Sequence, residues 1–198
     1  MSKRRINLDV GHPIWDRFFT VSPLVIIGTR EPGGDHDLAP KHMAGPVSWD
    51  NWFGFVCTPR HHTYANATRE GAFTVSWPRP EQLLEASLAA APRYPTEGKP
   101  ALDVLETEPA QAVDGVLLKG AWLQLECRTD RVVDELGENS LVIGRIVAAS
   151  VDERSLRSPD RDDQDLLRAA PLLAYLHPGR FAEVAQTRAF PFAAGMRR

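Results

Sequence analysis

Two long runs separated by one glycine constrain this chain most. "GAWLQLECRTDRVVDEL" (120–136) and "ENSLVIGRIVAASVDE" (138–153) flank Gly137. In the first, Trp122, Leu123, Leu125 and Cys127 mix with Gln124, Glu126 and Arg128 at close to a period of two, the spacing of a half-buried strand. Both runs are therefore read as strands of one hairpin that turns at Gly137. A hairpin of this length needs other strands around it, and the chain offers them. "SPLVIIGTR" (22–30) is a β-branched run, and the "EPGGDH" turn predicts a hairpin with the segment that follows. "NWFGFVCT" (51–58) and "AFTVSW" (72–77) are apolar runs too short for lone helices.

Between these strands the signals change. "TYANATREG" fits one or two helical turns, with Thr63 near the N-cap and Gly71 just past the end. "PEQLLEASLAAA" (80–91) has helical spacing with Pro80 at its start. Pro40 and Pro46 bracket "KHMAG", which is expected to be a shaped loop rather than a central strand or a helix. Residues 92–120 read mainly as loop, 158–165 as a polar linker and 166–176 as a broken helical piece. Five or six strands, short helices and no βαβ alternation predict a mainly β, antiparallel, Greek-key-like barrel rather than a doubly wound sheet. The 198 residues are expected to form a single domain with its core over about 20–186.

Charge and composition remove several function classes. The net charge of -3 gives no basic face for nucleic acid, and the clusters at Lys3–Arg5 and Arg197–Arg198 are expected to be solvated tails. No stretch approaches the ~20 apolar residues of a membrane span, and the N-terminus lacks the apolar core of a secretion signal. Cys57 and Cys127 fall inside apolar runs and read as reduced core thiols, so the expected location is the cytoplasm.

The densest chemistry lies at "CTPRHHTYANATREG" (57–71), where Arg60, His61, His62 and Thr63 follow a buried strand. A metal would need ligands from elsewhere, such as His42 or Asp37, because adjacent histidines point apart on an extended chain. A nucleophile reading lacks a GxSxG elbow, and Cys57 sits where a thiolate is disfavoured. A phosphate suits the residues better: a helix start offers free N–H groups and a positive dipole end, with Thr58, Thr63 and Arg60 as further donors. The plain alternative is a capped helix whose histidines face water. The loop 39–46 would then meet the flat remainder of such a ligand, with Trp49 or Trp52 nearby.

The order and spacing of these pieces resemble the flavin reductase-like family, the FMN-binding split barrels. "DLAPKHMAG" stands for that family's N-x-A-P-x-S loop, with Ala39 and Pro40 matching. "HHTYANA" stands for (K/R)-D-T-L-x-N-I, with Thr63 and Asn66 matching. Gly137, Leu141 and Gly144 match G-D-H-x-L-x-x-G-x-V, and "PLLAYLHPGRFAEV" is similar to the closing P-L-x-x-x-G-G-x-Y. The resemblance implies FMN on each subunit of a homodimer, NAD(P)H as electron donor, and a flavin acceptor, small molecule or monooxygenase partner downstream. It places Thr58, Arg60, His61, His62, Thr63 and Asn66 on the phosphate and ribityl chain, and Ala39, Pro40, Lys41, His42 and Met43 along the ring. His61-His62 replace the family's Lys-Asp, Leu38 stands where Asn is usual, and Asn139 stands at the family's histidine. An asparagine hydrogen-bonds but carries no proton at neutral pH. No general base is assigned, and His42 is the one candidate acid. A non-catalytic FMN-binding or carrier protein is the alternative.

Overall fold

The structure, a computed structural model, describes residues 5–94, 98–193 and 195. The basic clusters expected as tails therefore lie outside the described residues, apart from Arg5. The described residues form twelve strands, joined by short helices and loops. The largest sheet has seven strands, all antiparallel: β2 (Val25–Arg30), β3 (His36–Lys41), β4 (Ala44–Pro46), β5 (Trp52–Cys57), β6 (Ala72–Trp77), β9 (Leu123–Leu136) and β10 (Asn139–Val151), in the order β3-β2-β6-β9-β10-β5-β4. Because β3 runs on into β4 through only His42 and Met43, the first and last strands of this order are chain neighbours. The sheet curls into half a barrel, and a backbone bond from Val56 N–H to the Met43 carbonyl (2.8 Å) extends the β4–β5 ladder into the His42–Met43 connection.

The β9–β10 hairpin expected around Gly137 forms the spine, with Gly137 in the left-handed region at φ 67°. Three register shifts along it increase local twist and help the sheet curl. Inside, Phe53, Phe55, Phe73, Val25, Val75 and Val142 form the core, each at most 1% exposed. The other face of β2 is also covered: Ile26 joins Leu38, Leu118, Ala86 and Ala89 in a second cluster beneath α2 (Leu83–Leu88). Burial on both faces explains why "LVIIG" is continuously apolar instead of alternating.

Several expectations need correction. Residues 39–41 and 44–46 are strand, not loop. Pro40 pairs with Ile26 and Pro46 with Phe53, and both prolines are tolerated because β3 and β4 are edge strands with one unpaired side. The run 22–30 is two strands, β1 (Thr20–Pro23) and β2, broken at Leu24. The stretch 166–176 is helical only through the end of α3 (Asp163–Ala169). Residues Leu172–His177 form β11, which pairs with β1 and with β12 (Arg180–Val184) in a separate three-stranded sheet. Pro171 ends the helix and the apolar run continues as strand. Two short strands, β7 (Thr107–Pro109) and β8 (Val116–Leu118), pair across the loop-rich segment. No helix among the described residues is long and apolar enough to cross a membrane.

Candidate functional site

α1 (His62–Glu70) follows Pro59 directly after β5 and ends at Gly71, whose left-handed φ of 63° a side chain would resist. His61, not Thr63, occupies the N-cap, and no side chain caps the helix. The Tyr64 and Ala65 amides both donate to the His61 carbonyl. The amides of His62 and Thr63 are left without a backbone acceptor at the positive end of the helix.

This end of α1 faces the outer strand β3 across a cleft of about 360 Å³, closed on its far side by Ala89–Pro92. Pro40, Lys41, Arg60, His61, His62 and Thr63 line it, so β3 and the start of α1, which sequence reasoning paired as one site, do meet. Its size lies within the usual range of small-molecule sites. Lys41, Arg60, Arg93 and Lys99 stand against one aspartate, Asp37, in the lining.

Most of these cations have partners. Arg93 Nη2 pairs with Glu31 (2.7 Å) and Asp37 (3.1 Å), and Lys99 Nζ donates to the carbonyls of Leu38 (2.7 Å) and Ala89 (2.6 Å) and reaches Asp37 at 3.3 Å. His62 Nδ1 lies 3.1 Å from Glu31, and exposed Arg60 pairs with Glu138 at 2.8 Å. Lys41 differs: it makes no hydrogen bond or ion pair with the described residues. Burial holds its ammonium below the ordinary lysine range; Cys57 and the Asp37 carboxylate oppose that shift and Lys99 adds to it. His61 is likewise lowered, first by burial and then by Lys41 and Arg60. Its Nδ1 lies 3.9 Å from the Cys57 thiol, which burial pushes up.

The other expected residues are elsewhere or already engaged. Asn66 is 1% exposed and spends its amide inside, donating to Thr29 Oγ1 (3.2 Å) and accepting from Arg69 (3.0 Å). Thr58 sits in the turn, its carbonyl accepting from the His61 amide. His42 turns away to stack on His177, and Met43 is half exposed. Asn139 opens β10, one residue beyond the Ser140–Cys57 pair. Trp49 is fully exposed, and Trp52 lies under Arg145 at 4.7 Å. Among the described residues, no group of three or more His, Cys, Asp or Glu side chains could hold a metal.

Sequence reasoning missed Arg93, Lys99 and the Ala89–Pro92 wall. Ala89–Ala91 end the run read as helix and give no sign of lining a site, Arg93 and Lys99 come from the proline-containing loop after it, and Lys99 reaches its Asp37 partner across 62 residues of chain.

The curled antiparallel half-barrel is a split β-barrel fold. The chain matches the flavin reductase like domain over residues 17–183, and it belongs to that family. It is similar in structure to flavoredoxin of Desulfovibrio vulgaris (Miyazaki F), with 21% identity, a TM-score of 0.76, and 96% of this chain and 100% of that one covered. It is also similar to nitrilotriacetate monooxygenase component B of Mycobacterium thermoresistibile (15% identity, TM-score 0.69, 90% and 89% covered). A third likeness is to an NADH:FAD oxidoreductase of Streptomyces globisporus C-1027 (16%, 0.64, 82% and 86%). No curated protein sequence matches the chain.

Proposed function

We propose that this protein is an FMN-dependent oxidoreductase of the flavin reductase type, holding the flavin phosphate between Lys41 and the start of α1. The observation that carries this reading is the unpaired Lys41 ammonium in a cleft already rich in cations. A desolvated charge without a partner is costly, and an anionic ligand removes that cost. The amides of His62 and Thr63, with no backbone acceptor among the described residues, supply the hydrogen bonds such an anion needs, and Arg60 supplies further positive charge.

When bound, FMN would accept hydride from NAD(P)H and pass electrons to an acceptor or a monooxygenase partner. The protein's part is to bind, orient and shield. Lys41 and α1 fix the phosphate, Ala39 and Pro40 shape the strand edge beside it, and Ala89–Pro92 keep water from that side. Family membership supports the flavin, and the two-component monooxygenase and NADH-dependent relatives support the partner and the donor. Family membership supports a homodimer, and the two free, buried cysteines support a cytoplasmic setting.

The test is the visible absorption spectrum of purified protein after FMN addition and removal of excess, followed by NADH oxidation with FMN present. A retained, shifted flavin band with accelerated NADH oxidation supports the enzyme. A retained band without turnover supports the carrier reading, which Asn139 in place of the family's histidine favours. No band and no turnover sinks both.

A further inference from the structure

The chain has four lysines, Lys3, Lys41, Lys99 and Lys119. Lys3 lies outside the described residues, and the other three sit in different chemical settings. Lys119 is exposed and donates to Glu106 at 2.9 Å, a hydrogen bond that holds its ammonium above the ordinary lysine value. Lys99 Nζ is enclosed by the carbonyls of Leu38 and Ala89 and by the Asp37 carboxylate. Lys41 opens on the cleft beside α1 and has no acceptor among the described residues.

A lysine acts as a nucleophile when nothing holds its proton, when its surroundings favour the neutral amine, and when an electrophile is brought to it. The missing acceptor meets the first condition at Lys41. Burial meets the second, outweighing the opposing pull of Cys57 and Asp37. The cleft meets the third for one class of compound. The His62 and Thr63 amides and Arg60 can seat a phosphate without any proton from Lys41, so a phosphate held there leaves the amine free to react. An acyl phosphate carries both parts, a phosphate for the helix start and an electrophilic carbonyl carbon bonded to it through oxygen.

We propose that Lys41 is a site of acylation by acyl phosphates seated at the start of α1. The inference rests on this cleft being a phosphate site. Lys41 first gives a proton to solvent. Its Nζ lone pair then forms a bond to the acyl carbon, and the bond from that carbon to the phosphate oxygen breaks. Inorganic phosphate leaves with the electron pair, the second amine proton passes to solvent, and nothing is oxidised or reduced. The product is a neutral amide. Acylation thus removes the charge that a flavin phosphate would meet, and closes the cleft to FMN.

Peptide mapping of the apoprotein by mass spectrometry tests this. Acetyl phosphate is the probe, and the N-hydroxysuccinimide ester of acetic acid is the acylating agent without a phosphate. Acetyl phosphate is expected to modify Lys41 about tenfold or more faster than the more exposed Lys119. The ester should lose that preference, and inorganic phosphate should slow Lys41 while leaving Lys119 unchanged. Protein acetylated at Lys41 should bind FMN about tenfold or more weakly than untreated protein.

A Lys41 rate no faster than that of Lys119, the same preference with the ester, or no protection by phosphate overturns the inference. Unchanged FMN affinity after full acetylation overturns the claim that the modification closes the cleft. FMN titration of untreated protein separates the two readings. FMN binding without Lys41 selectivity sinks the acylation site alone, and selectivity without FMN binding sinks the flavin reading alone.

Discussion

His42 lies against His177, imidazole over imidazole, with centroids 5.3 Å apart and planes 19° from parallel. Tyr175 completes the cluster at 4.7 Å from His42. Through it the two-residue connection between β3 and β4 is fastened to β11, joining the half-barrel to the three-stranded sheet. His177 Nδ1 is buried and makes no hydrogen bond. Burial first, then His177 and Lys41, hold His42 below the ordinary histidine value.

A pH dependence of stability follows. A histidine whose folded pKa is depressed binds its proton more readily in the unfolded chain, so unfolding takes up protons as pH falls below about 6.5. The stabilisation is complete above that value and is lost on acidification. His61 contributes with the same sign. The melting temperature should fall between pH 7 and pH 5, and His42→Phe, which keeps a ring in the stack, should remove part of that slope. An unchanged slope in His42→Phe would show that the stack does not titrate with folding.

Lys41→Met should move stability and binding in opposite directions. Losing a desolvated, unpaired ammonium should stabilise the apoprotein by about 1 kcal/mol. Losing a charge-assisted contact to phosphate should weaken FMN by roughly 1.5–3 kcal/mol, on the order of 10- to 150-fold. Chemical denaturation and flavin titration read the two effects. The wild-type affinity should also fall on raising the pH through the depressed lysine pKa, and Lys41→Met should lack that limb. A destabilised variant with normal FMN affinity would remove Lys41 from the phosphate site.

The sequence showed the strands that punctuation marks clearly and hid those that it does not. Gly137 and the alternation before it are local signals, and the β9–β10 hairpin turns there, with outer ends two or three residues short of the runs. The run 166–176 reads as a broken helical piece, yet Leu172–His177 is strand. Its strand character comes from pairing with β1, about 150 residues earlier in the chain, and no local pattern encodes that partner. In the cleft, Thr63 lies where a helix start announces backbone donors, whereas Lys41, expected on a loop along the ring, ends strand β3. Lys99 and Arg93 were not legible, because a lysine in a proline-rich loop looks solvated until the loop folds back onto Asp37. Asn66 matched a family motif yet serves the interior, holding α1 to Thr29.

Gly144 explains one of those motif positions physically. A Cβ there would lie 2.6 Å from the Phe73 ring and 2.8 Å from the Arg128 carbonyl. Neither can yield easily, since Phe73 is 1% exposed in the core and Arg128 belongs to the neighbouring strand. Gly144→Ala should destabilise the protein by about 1–3 kcal/mol, seen as a lower denaturation midpoint with an unchanged denaturant slope. Gly45, on an edge strand where a Cβ meets nothing within 4 Å, is the control, and Gly45→Ala should cost little.

Arg60 and Glu138 give the last prediction. Their side chains are 73% and 82% exposed, and such a surface pair contributes little to stability. Breaking it should leave the fold within about 0.5 kcal/mol of wild type. Its consequence for binding is larger, because Glu138 holds a guanidinium that the phosphate would otherwise recruit. Glu138→Gln should therefore tighten FMN two- to threefold, and Arg60→Ala should weaken it about fivefold, with both effects shrinking as salt is raised. The double variant should bind like Arg60→Ala alone, since Glu138 acts only through Arg60. If Glu138→Gln tightens FMN even without Arg60, the carboxylate repels the ligand directly and the guanidinium is only its surface partner.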